Sequence, residues 1–115
     1  VPALVDATGT SRRVQALVAY GHPFAELARR LGCTEAWLRQ LARAVRTRGV
    51  LRRTAGQVAA LFDQLTALPP PAGRTATHAR TVAARYGWAT AWAWDDIDDP
   101  AERPKGVRTT RAGVA

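Results

Sequence analysis

Apolar residues recur at intervals of three and four along nearly the whole chain. No stretch alternates apolar with polar residues as a half-buried strand would. The pattern predicts an all-α fold of about five short helices. Thr10 or Ser11 is suited to cap a first helix that turns Val14, Leu17 and Val18 inward, and Gly21-His22-Pro23 ends it. A short second helix carries Phe24, Leu27, Ala28 and Leu31, and breaks at Gly32. Thr34 opens a third, with Leu38, Leu41 and Val45 on the inward side along with Thr34 itself. Residues 46–53, RTRGVLRR, read as a basic loop around Gly49. Thr54 caps a fourth helix, striped by Val58, Leu61, Phe62 and Leu65. Pro69-Pro70-Pro71 is a stiff break. A fifth helix is expected from about Arg74 to Tyr86, with Ala79, Val82, Ala83 and Tyr86 on one side.

From Gly87 onward the chain is Trp-rich, then acidic, then basic, and irregular structure is expected. The predicted organisation is a helix-turn-helix unit over residues 1–68 and an additional helix plus Trp-rich segment packed on it over 69–99. A basic, disordered tail covers 100–115. Trp88, Trp92 and Trp94, with Tyr86, carry apolar surface that the helical unit is expected to cover, leaving Asp95–Asp99 in solvent. A dimer interface or a protein partner on these tryptophans is the alternative.

The segment Phe24–Arg43, FAELARRLGCTEAWLRQLAR, is the informative one. A helix-turn-helix needs a small residue where the second helix crosses the first, and Ala28 supplies it. It needs a residue tolerant of positive φ at the turn, and Gly32 follows four positions later. Leu27, Leu31, Cys33, Leu38 and Leu41 fill the buried positions. An ordinary αα-hairpin satisfies the same spacing, so charge has to arbitrate.

Charge favours a nucleic-acid partner. The 115 residues hold 17 Lys and Arg against 9 Asp and Glu, a net charge of +8. Residues 1–53 alone carry ten Arg against Asp6, Glu26 and Glu35. All but Lys105 of the basic residues are Arg, the side chain that forks onto phosphate and guanine edges. A GC-rich genome also raises Arg over Lys, but it does not concentrate the charge in the first half.

Advancing about 100° per residue along the third helix, the outward arc holds Ala36, Arg39, Gln40 and Arg43, with Glu35 and Arg46 at its edge. These are base-reading types: Arg bridges guanine O6 and N7, Gln pairs with adenine, Glu accepts from cytosine, and Ala meets a thymine methyl. Thr34, Glu35, Ala36, Arg39, Gln40 and Arg43 are therefore the candidate base-reading set, against the plain alternative of a solvated helix face. Arg12, Arg13, Arg46, Arg48, Arg52 and Arg53 are the candidate phosphate contacts, which set affinity and register. Trp37 is expected to pack partly on the first helix, and Cys33 to be a small buried hydrophobe.

Other classes find little support. Cys33 is the sole cysteine, so no internal disulfide framework or multi-cysteine zinc site exists. His22 and His78 are isolated, and no nucleophile–base signature is present. Asp95–Asp99 lacks the spacing of a calcium loop. No enzyme activity, cofactor or metal is expected. No apolar run approaches a membrane span and no signal peptide opens the chain, so a cytoplasmic, nucleoid-associated protein is expected.

The helix-turn-helix, the basic loop, the helix TAGQVAALFDQL, the arginine-rich helix ending AARYGW and the closing AWAWDDIDDP together resemble a family of small DNA-binding proteins of actinobacteria and their phages. In that family a helix opening with Arg-Arg and a helix-turn-helix precede a helix ending in Asp/Glu-x-Leu and a segment like RGWAPPLAWDDDTIDDP. The resemblance spans about residues 11–100, and the AWDD…IDDP ending is its most specific part. This chain has ATAWAW where the family often has a Pro-Pro turn. The resemblance implies a λ-repressor-like helical domain, a transcription-factor or phage-immunity role, and reading positions within Thr34–Arg43.

The expectation is thus a sequence-specific binder of double-stranded DNA, acting as a repressor by occupancy. With no heptad seam and no second domain, it is expected to be a monomer in solution that DNA itself can pair. The rivals are an accessory subunit of a recombination, excision, replication or partition complex, and a protein-interaction module on a helix-turn-helix scaffold.

Overall fold

The computed structural model describes residues 3–43 and 49–106. Five α-helices lie among them: α1 (Thr8–Tyr20), α2 (Phe24–Leu31), α3 (Glu35–Arg43), α4 (Arg52–Thr66) and α5 (Arg74–Tyr86). Two short strands, β1 (Leu4–Val5) and β2 (Val50–Leu51), pair antiparallel, Leu4 opposite Leu51 and Val5 opposite Val50. A single 3₁₀ turn covers Ala91–Ala93. The helices agree with the apolar periodicity. The strands do not appear in it, because two residues are too few to alternate.

Helix α1 is the hub, packing against α3, α4 and α5. Surrounded on three sides, it buries Val14, Ala16, Leu17 and Val18 to within 1% of full burial. Leu27, Leu38, Leu41, Val58 and Leu65 close the same core, and Ala79 and Ala83 of α5 join it. Ala42, absent from the predicted inward arc, is fully buried against this hub.

Two helix starts differ from the expected caps. Helix α1 begins at Thr8, where the Asp6 carboxylate accepts from the Thr8 N–H at 2.7 Å. Thr10 and Ser11 are buried inside the helix instead. Helix α4 begins at Arg52, ahead of Thr54, and has no side-chain cap.

Helices α1, α2 and α5 end on glycines, at Gly21, Gly32 and Gly87. Gly32 takes a left-handed conformation (φ 71°, ψ 35°), and the Cys33 N–H reaches back to the Ala28 carbonyl at 3.0 Å. A Cβ at Gly32 would meet no atom within 4 Å, so the penalty of adding one comes from the left-handed backbone. Gly32→Val should therefore lower stability by about 1–3 kcal/mol, read as a drop of several degrees in a thermal melt. An unchanged melting temperature would contradict the turn. Gly21 is constrained twice: its φ is 123°, and a Cβ would fall 2.4 Å from an Nη1 of Arg80. That guanidinium donates to the Tyr20 and Pro71 carbonyls, tying the Pro-rich break and α5 to the end of α1. The Tyr20 hydroxyl donates to the Leu68 carbonyl at the same corner.

Candidate nucleic-acid interface

The turn at Gly32 sets α3 across α2, with Leu38 (0% exposed) and Leu41 (2%) pinned inward. The Thr34 hydroxyl accepts from the Trp37 N–H at 3.1 Å and caps α3. Thr34 is exposed, which corrects its inward assignment: the hydroxyl has to face the open first turn to act as a cap. Glu35 in the first turn and Arg43 in the last both complement the helix dipole. The Gln15 Nε2 on α1 donates to the Ala42 carbonyl at 2.6 Å and fixes the far end of α3. Sequence reasoning missed Gln15, because a single polar residue within an amphipathic helix carries no distinguishing pattern.

Ala36, Arg39, Gln40 and Arg43 are all exposed, and Glu35 is half-buried. The opposite side is core, so α3 turns Arg39, Gln40 and Arg43 together to the outside. Arg39 donates through Nη2 to Glu35 at 2.6 Å, and its guanidinium carbon lies 4.7 Å from the Phe24 ring centroid. That of Arg43 lies 5.4 Å from the Tyr86 ring. Both arginines are thus oriented on the helix surface.

Arg52 and Arg53 stand exposed in the first turn of α4, which has no acidic residue. Positive charge at a helix N-terminus opposes the dipole and costs stability. Their placement is a local conflict that an anionic partner would relieve. The expected basic loop over 46–53 is corrected in its second half, where Val50–Leu51 form β2 and Arg52 opens α4. Arg46 and Arg48 lie outside the described residues, as does Val45.

Arg12 and Arg13 require correction. Neither faces outward for a phosphate. Arg12 donates to the Ile97 carbonyl (3.1 Å), the Asp99 carbonyl (2.6 Å) and the Glu102 carbonyl (3.1 Å). Its guanidinium carbon stands 4.0 Å from the centroid of a Trp94 ring. Arg13 grips Asp98 in a bidentate pair, at 2.8 and 3.1 Å. Hydrogen bonds from Arg13, then the positive charge of Arg13 and Arg12, hold the Asp98 carboxyl below the usual carboxylate range despite partial burial. Gly9 makes room for this contact, since a Cβ there would lie 1.6 Å from the Asp98 carboxylate.

The C-terminal expectations change accordingly. The acidic stretch is not left wholly in solvent, because Asp98 and the Asp99 carbonyl are anchored on α1. Residues 100–106 are not a loose tail: Glu102 accepts from the Asp95 and Asp96 N–H groups at 2.7 Å, and the Lys105 N–H donates to the Ala93 carbonyl at 2.9 Å. Residues 107–115 lie outside the described residues. Trp88 and Trp94 are half-buried, whereas Tyr86 (50% exposed) and Trp92 (67%) are not covered.

Two flanking residues also differ. Trp37 is exposed and borders a cleft of about 340 Å³ shared with Gly32, Cys33, Arg53 and Gln57, so it faces the start of α4. Cys33 is half-buried, and desolvation pushes its thiol up, away from thiolate reactivity.

No family model, curated protein or solved structure matches the chain. Among the described residues no helix is long and apolar enough to cross a membrane, and no three His, Cys, Asp or Glu side chains gather as a metal site.

Proposed function

We propose that the protein binds double-stranded DNA sequence-specifically, with α3 in the major groove, and represses transcription by occupying its site. One observation carries the reading. The helix following the Gly32 turn is locked inward by Leu38 and Leu41 and exposes Arg39, Gln40 and Arg43 together on the other side. On a chain of net charge +8, a polyanion is the natural partner of that face. Arg39 and Gln40 read bases, Arg43 extends the reading toward the end of α3, and Arg52 and Arg53 hold phosphates. The free protein is a monomer that DNA itself can pair; a sedimentation mass near 12.4 kDa is the expected result in solution, and twice that would contradict it.

Selection of bound duplexes from a random pool tests the reading. An enriched sequence of a few base pairs is expected; retention without enrichment would contradict specific recognition. Removing Arg52 and Arg53 together should weaken binding to all sequences and flatten the slope of log K against log salt by roughly one unit per lost contact. An unchanged slope would place the start of α4 off the DNA.

A further inference from the structure

The two arginines on the outward side of α3 rest against aromatic rings supplied by two other elements. Phe24, under Arg39, opens α2 and is buried. Tyr86, beside Arg43, closes α5 and is 50% exposed. Trp88 joins these rings: it meets Phe24 edge-on (5.9 Å, 80°) and stacks on Tyr86 (4.7 Å, 13°). An aromatic strip Phe24–Trp88–Tyr86 therefore runs beside α3 from Arg39 to Arg43.

The turn after α5 builds this strip. Gly87 is left-handed (φ 71°, ψ 28°), its N–H bonds the Ala84 carbonyl, and the Trp88 N–H bonds the Ala83 carbonyl at 3.0 Å. The chain reverses there, and Trp88 folds back onto both Tyr86 and Phe24. Tyr86 is not needed to bury α5, because Ala76, Ala79 and Ala83 already do so. A half-exposed aromatic ring held by a second ring and set beside a guanidinium is a device for orienting that guanidinium. An arginine held in place before binding loses less freedom when it docks on a base edge.

We propose that Tyr86 is a specificity-determining positioning residue. Its ring, held by Trp88, orients Arg43 for a base edge, so the segment after the Pro-rich break tunes what α3 reads. The inference rests on the DNA-binding reading above. Tyr86 acts through Arg43 and touches no base itself.

A double-mutant cycle on the selected duplex tests it. Tyr86→Ala should lose about two- to fivefold in affinity for the selected site, with no change on random duplex, since the net charge is the same. Tyr86→Phe keeps the ring and should bind as the wild type does. On an Arg43→Ala background, Tyr86→Ala should have no further effect. A Tyr86→Ala protein of wild-type affinity overturns the proposal. So does a loss equal on both duplexes, or one that persists in full without Arg43. In the free protein, the Arg43 side-chain protons should show a ring-current shift that Tyr86→Ala abolishes. Absence of that shift overturns the proposal by itself. A normal shift with no sequence enriched overturns the DNA-binding reading and the proposal with it, while leaving the contact standing.

Discussion

Arg12→Ala is expected to cost about 2–4 kcal/mol of stability. The guanidinium supplies three carbonyls from one side chain and covers a face of Trp94. Hydrogen bonds from a charged donor contribute roughly 1.5–3 kcal/mol each where they are sheltered. Here the Asp99 contact is exposed, so the sum is well below three such bonds. Without Arg12 the segment 94–106 should peel from α1. Trp94 emission should shift to the red, and proteolysis should begin near residue 100, while helical circular dichroism survives. Arg12→Lys should recover little, because one ammonium cannot span the three acceptors that a planar fork reaches. Wild-type melting and emission in Arg12→Ala would contradict the clamp.

The second expected result concerns reading itself. Arg39→Ala and Gln40→Ala should each cost about 1–3 kcal/mol on the selected site, roughly fivefold to more than a hundredfold in affinity. On random duplex, Gln40→Ala should be silent, since it removes no charge. Arg39→Ala should lose only what one positive charge contributes there. Arg39 uses Nη2 on Glu35, leaving its remaining donors to be offered to a base. Equal losses on selected and random DNA would mean that both side chains touch phosphate alone.

The helices and the helix-turn-helix were legible because they depend on local rules. Leu38 and Leu41 follow helical spacing, Gly32 marks a left-handed turn, and Arg39, Gln40 and Arg43 lie opposite the buried stripe. The illegible parts involve partners distant in sequence. Nothing near Arg12 reveals that its acceptors lie at Ile97, Asp99 and Glu102, more than 80 residues away. As an isolated pattern, Arg12-Arg13 looks like free charge for phosphates, and Asp95–Asp99 looks like a solvated acidic turn. Only folding shows that Arg13 pairs with Asp98 and that Arg12 takes the carbonyls of Ile97 and Asp99. The link from Tyr86 to Arg43 was hidden for the same reason, although Gly87 after a Tyr-terminated helix hinted at a reversal. Thr34 went astray on a different ground: the helical wheel places it inward, but a capping residue precedes the helix and does not obey the wheel.

Methylation interference on the selected duplex tests the central claim most directly. If α3 reads bases from the major groove, methylating guanine N7 inside the enriched sequence should block binding, because Arg39 and Arg43 compete for that atom. Arg39→Ala should erase the interference at one guanine and leave the others. Interference confined to adenine N3, in the minor groove, or absent at every base, would contradict the account.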